Sequence, residues 1–166
     1  MALAFRTRRA GSHVHESTAT TEPLVLMERR PDEMSALEHA ALVAGRVVFG
    51  GYFVYSGIRH FAQRQMFIAY TKSKGVKWPE LAVLGSGAML VAGGLSLLTG
   101  IKPKVGAALV TGFLTGATPL MHDYWNATDD TQRMNDKVNF TKNLALIGGA
   151  AFAAAASQRA PLQLAS

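Results

Sequence analysis

The sequence predicts an all-α fold: a four-transmembrane-helix bundle with a short interfacial helix after span one and an extended N-terminal tail. Three observations predict it. Only 17% of the 166 residues are Asp, Glu, Lys or Arg, and these charges gather in short clusters between long uncharged stretches. Residues 81–101 form one such stretch without interruption. About 20 helical residues cross a ~30 Å hydrocarbon core, so this run spans by itself. Glycine and alanine also recur at four-residue spacing in the later stretches, as close helix packing in lipid favours.

The elements follow in order. Residues 1–31 carry Pro23, Pro31 and many Ser, Thr and His residues, with no apolar period. Such a segment has no core of its own, so the tail is expected to bind a partner surface, namely other membrane protein subunits. Arg6, Arg8 and Arg9 are not followed by an apolar stretch, so no secretory signal is expected there. A helix starts at Pro31-Asp32-Glu33, where proline suits the first turn and acids suit the positive end of the dipole. It runs on into span one, residues 40–61, which Arg59, His60 and Arg64 close. Residues 62–78 are basic and aromatic, with Phe67, Tyr70, Lys72, Lys74, Lys77 and Trp78, and predict a short helix in the headgroup region. Span two begins after Pro79-Glu80.

A turn of a few residues around Gly100, Pro103 and Lys104 then forces span three, residues 105–121, antiparallel to span two. Polar residues 122–137 lead to span four, residues 138–156, the weakest of the set. Lys142 lies one turn inside it and must snorkel to the interface, and the rest is mostly Ala and Gly. The expected organisation is a tail at 1–31, a membrane domain at 32–157 and a short C-terminal tail at 158–166. Gly93 and Gly94 on span two, Ala108, Gly112 and Gly116 on span three, and Ala145, Gly149 and Ala153 on span four are the expected helix-packing positions.

Composition excludes some classes. There is no cysteine, so disulfides, thiolate metal sites and thiol redox chemistry are out. The net charge is +6, but the basic residues flank apolar spans rather than forming one stripe, so they read as anchors for anionic lipid and not as a nucleic-acid surface. Ligand spacing for a metal is absent, and His13 and His15 read as part of a solvated tail. The triplets at Asn126 and Asn139 match a glycosylation pattern common by chance.

Four crossings put the end of span one, the end of span three and the start of span four at one interface. Arg59, His60, His122, Asp123, Lys142 and Asn143 meet there. Polar groups at such a depth are costly and mark function, although Arg, His, Trp and Tyr at span ends also serve as plain anchors, and Asp123 could simply pair with Arg59. The candidate ligand is a quinone or a lipid, with no covalently bound cofactor, no catalytic residue and no metal assigned. Basic residues are almost evenly divided between the two sides, so they do not set the orientation.

The spans resemble the DoxX family of small four-helix membrane proteins. The matching pieces are Arg46 through Ser56-Gly57 and His60, then Pro79-Glu80-Leu81-Ala82, then Gly93-Gly94-Leu95-Ser96-Leu97-Leu98-Thr99-Gly100 and the short turn. His122 follows, then Lys142-Asn143-Leu144-Ala145-Leu146-Ile147-Gly148-Gly149. The resemblance covers about residues 42–157. It implies a multi-pass protein of a bacterial cytoplasmic membrane, with termini in the cytoplasm. It also implies association with respiratory or other electron-transfer complexes. The family pattern often has a glutamate just before the paired glycines of span two; Met89 and Leu90 stand there instead. The leading expectation is an accessory or structural subunit of such a complex. The alternative is a quinone-interacting oxidoreductase component that uses the polar cluster.

Overall fold

A computed structural model describes residues 35–156, and over that range the chain is all-α. The tail, the expected helix start at Pro31 and the last ten residues lie outside the described residues. Five helices follow one another: α1 (Ala36–Ala62), α2 (Arg64–Ser73), α3 (Pro79–Thr99), α4 (Pro103–Met121) and α5 (Asp130–Ala156).

Their ends are set by local chemistry. Ser35 caps α1 by accepting from the Glu38 amide at 3.2 Å, while the Glu38 carboxylate accepts from the Ser35 amide at 2.7 Å. Two orphan amides are satisfied by this reciprocal pair. The chain breaks at Gln63 and restarts at once as α2, the expected interfacial helix. Pro79 and Pro103 open α3 and α4, where the missing N–H costs nothing. Gly100 ends α3 at φ 73°, a left-handed turn that glycine adopts freely, and α4 starts three residues later.

α5 starts eight residues before the expected span, at Asp130 instead of 138. Asp129 caps it, its Oδ1 accepting from the Gln132 amide at 2.8 Å. Apolarity alone could not reveal this start, because the first two turns are polar.

One core joins the four long helices. Phe53 of α1, Leu90 and Leu97 of α3, Ala107, Val110 and Leu114 of α4 and Ala150 of α5 are buried together. α3 packs against α1, α2 and α4, and α4 packs against α5. Contacts run Gly50 to Leu98 and Gly57 to Val91, so α1 and α3 are antiparallel. Gly93 touches Gly106, and Thr118 bonds Asn143, so α3–α4 and α4–α5 are antiparallel as well.

The glycine seam differs in part from the expected one. Gly93 and Gly94 sit in close contacts, Gly94 against Gly50 and Val54, Gly93 against Gly106 and Val110. Gly149 faces Phe49, and Ala153 packs beside the core. Ala108, Gly112, Gly116 and Ala145 are exposed. On α4 the buried face is Gly106, Ala107, Val110, Leu114 and Thr118, because the larger Val and Leu side chains fill the space between helices, while Gly112 and Gly116 border a cavity at one end of the bundle.

Outside the core the surface is strongly apolar. Val47, Val48, Tyr55 and Ile58 of α1, Leu81 and Leu95 of α3, Val105 of α4 and Phe152 of α5 are exposed, Phe152 to 77%. Soluble proteins rarely show so much contiguous apolar surface. Among the described residues, α1 and α3 are long and apolar enough to cross a membrane. α4 is diluted by Pro119 and several Thr and Gly residues, and α5 by its polar first half, so neither reaches that mark.

Candidate functional site

Antiparallel packing gathers the end of α1, the start of α3, the end of α4 and the early turns of α5 at one end of the bundle. α2 lies there too. Together they enclose a cavity of about 420 Å³. Its wall is mostly apolar, with Phe67, Val83, Met89, Phe113 and Leu120, and polar groups enter at His60, Tyr70, Thr71, Ser86, His122 and Asn143. Volume and lining are those of a small-molecule site.

Each polar group is positioned by a neighbour. His60 is buried, stacked on Phe67 at 4.4 Å and edge-on to Phe113 at 5.9 Å. Its Nδ1 lies 2.8 Å from the Ser56 carbonyl of its own helix. A carbonyl only accepts, so that nitrogen carries a proton, and in the neutral ring Nε2 is the acceptor. The His122 Nδ1 lies 3.2 Å from Oδ1 of Asp136, a buried carboxylate on α5. Asn143 donates through Nδ2 to Thr118 Oγ1 at 3.0 Å, joining α5 to α4.

α2 is fastened across this end. The Tyr70 hydroxyl donates to the Met121 carbonyl at 3.0 Å, and Lys74 Nζ donates to Asp123 Oδ1 at 2.6 Å. Asn126 supports Asp123 from the other side at 3.2 Å. The hydrogen bond to Asp123 raises the Lys74 pKa against the opposing effect of burial. The same bond, with that of Asn126, lowers Asp123 below the usual carboxylate value. Partial burial raises Tyr70, with Lys74 acting against it and Asp136 and Asp123 adding to it.

Of the six residues expected at this interface, His60, His122 and Asn143 line the cavity. Asp123 is not among the lining residues and pairs with Lys74, whereas Arg59 bonds Gln63 and lies over Tyr55. The pairing of Asp123 with Arg59 does not form, because α2 brings a nearer cation. Lys142 donates to Asn139 on its own helix at 2.7 Å. Asp136, Tyr70, Thr71 and Lys74 were not expected as site residues. Asp136 did carry a sequence signal: it lies seven residues before Asn143, two turns away on the same helix face.

Described residues that are all-α, with two membrane-competent helices among them, an apolar exterior and a cavity at one end of the bundle, define a class of small membrane protein. The chain belongs to the DoxX family, whose model matches residues 41–123. That match takes in α1 through α4 and the loop to Asp123; α5, with Asp136 and Asn143, lies beyond it. Comparison with curated proteins and with solved structures gives no match.

Proposed function

We propose that this DoxX-family protein is a multi-pass protein of the bacterial cytoplasmic membrane and an accessory subunit of an electron-transfer assembly. In that role it holds the ring head of a quinone-class lipid in the bundle-end cavity. The carrying observation is the cavity itself: an apolar chamber with two imidazoles, each fixed by a partner on one nitrogen. A structural spacer has no need of an oriented, buried imidazole. The chain has no cysteine, so electrons must come from a partner subunit or from another bound group.

Four crossings are the reading best supported by the shared core. Ala150 of α5 is fully buried beside Phe53, Leu90 and Val110, so α5 lies level with the apolar α1 and α3.

Two measurements test this reading. In lipid nanodiscs the full chain should bind a short-tailed quinone-class compound saturably in at least one of its two redox forms, and His122→Asn should weaken binding of the hydroxyl-bearing form about tenfold, the loss of one good hydrogen bond in a desolvated site. Absence of saturable binding of either form would sink the ligand reading. Because the chain has no native cysteine, single cysteines at Lys102, Gln65 and Thr128 report topology through an impermeant maleimide. Residue 102 should label from one side, and 65 and 128 from the other. Labelling of 102 and 128 from the same side contradicts four crossings.

A further inference from the structure

We propose that the cavity takes a quinone-class head in its reduced, hydroxyl-bearing form in preference to the carbonyl form. This rests on the ligand reading above and adds the redox state of what is held.

The inference follows from where the polar protons of the wall already point. His60 gives its Nδ1 proton to the Ser56 carbonyl, so Nε2 offers a lone pair. His122 has its Nδ1 against the Asp136 carboxylate, so the neutral ring likewise offers Nε2 as an acceptor. Neither Nε2 is bonded to another side chain, yet among the described residues no buried side-chain nitrogen or oxygen lacks a partner. Both atoms therefore border open space, and the cavity is the space that both rings line.

The remaining polar groups are similarly committed. Asn143 gives one of its two amide N–H groups to Thr118 and keeps a carbonyl oxygen. Ser86 donates to the Val83 carbonyl, and Tyr70 to that of Met121. The wall thus holds more free acceptors than free donors, with the Thr71 hydroxyl and the second Asn143 N–H the uncommitted donors among these residues.

A benzoquinone head brings two more acceptors to such a wall and leaves buried oxygens unmet. The hydroquinone brings two O–H donors to atoms that lack them. A site built to bond a hydroxyl rejects the analogue without it far more strongly than a merely apolar pocket does.

The test measures both forms of one short-tailed compound, anaerobically, on the full chain in nanodiscs by calorimetry. The hydroquinone should bind at least tenfold more tightly. That ratio corresponds to a rise of about 30 mV in the potential of the bound two-electron couple. His60→Gln and His122→Gln each supply an N–H donor and should narrow the preference several-fold with helical content unchanged; the two variants are independent should one fail to fold. Equal affinities, tighter binding of the quinone, or a preference untouched by both variants would overturn this inference and leave the ligand reading standing. Binding of neither form would overturn both.

Discussion

Gly94→Ala should be among the most damaging single-methyl additions in the chain. A Cβ at Gly94 would lie 2.6 Å from the Val54 amide nitrogen, 2.8 Å from the Gly50 carbonyl oxygen and 2.9 Å from Val54 Cγ2. Ordinary contact begins near 3.4 Å, so α1 must retreat by about 0.8 Å, the difference between 3.4 and 2.6. Two of the three obstacles are backbone atoms, which cannot rotate aside. Retreat also opens the contacts at Gly50, Gly57 and Gly87 along the same seam, and a gap of 0.5–1 Å forfeits roughly a quarter to a half of each dispersion contact. Overpacking of this kind costs about 1–3 kcal/mol.

Gly85→Ala is the matched control. It lies on the same helix, and its added Cβ meets nothing within 4 Å. Better helix propensity should leave it neutral or raise stability by about 0.5–1 kcal/mol. Thermal unfolding in mild detergent, followed by circular dichroism, separates the two. For a chain of this size each kcal/mol moves Tm by roughly 2–4 °C, so Gly94→Ala should fall by about 2–12 °C. Gly94→Ala as stable as Gly85→Ala would refute the glycine seam between α1 and α3.

Three further outcomes are expected. Asp136→Asn should weaken quinone-class binding about tenfold, since His122 loses the carboxylate that fixes its tautomer; isothermal titration checks this. Thr118→Val should lower stability by about 1–3 kcal/mol, because the partly buried Asn143 amide is left without its acceptor; the same unfolding assay reads it. The α2 fastening should be complete between about pH 4 and pH 10.5. Asp123 is depressed below its ordinary 3.8, so its contribution is present above that value and lost as pH falls through the lower folded value. Lys74 is raised above its ordinary 10.5, so its contribution is present below that value and lost as pH rises through the higher folded one. Hydrogen exchange in α2 should show this plateau, and Lys74→Met should flatten it.

Much of the helix order was legible because membrane helices announce themselves through what they lack. The stretch at 42–58, apolar except for Arg46, and the uncharged run at 81–101, with Pro79 and Pro103 as starts and Gly100 as a stop, locate α1, α3 and the α3–α4 turn closely. Which face of α4 packs was not legible. Ala108, Gly112 and Gly116 look suited to a seam, but Val110 and Leu114 fill the inter-helix space and take the inward face. Small residues permit close approach without demanding it. Asp136 shares a helix face with Asn143, but its pairing was hidden for a different reason: His122 is fourteen residues away across a loop, and no local pattern joins the two.

The polar character that makes α5 the weakest span also supplies the site. Its first turns carry Asp136, Phe140 and Asn143, which respectively fix His122, pack against Tyr124 and Trp125, and bond Thr118. An α5 apolar from end to end would cross a bilayer more readily and would bring none of these to the cavity. A buried carboxylate is costly in a membrane protein and persists only with a partner. Asp136 has that partner in His122, at the same bundle end where Lys74 and Tyr70 stand. Before Gly93 in α3, Met89 lines the cavity and Leu90 fills the core, so the carboxylate to be tested for that position's role is Asp136 of α5, held by His122. Met89→Glu in an Asp136→Asn background tests that equivalence directly: restored binding would make the two positions interchangeable, whereas further loss would show that Asp136 acts only through His122.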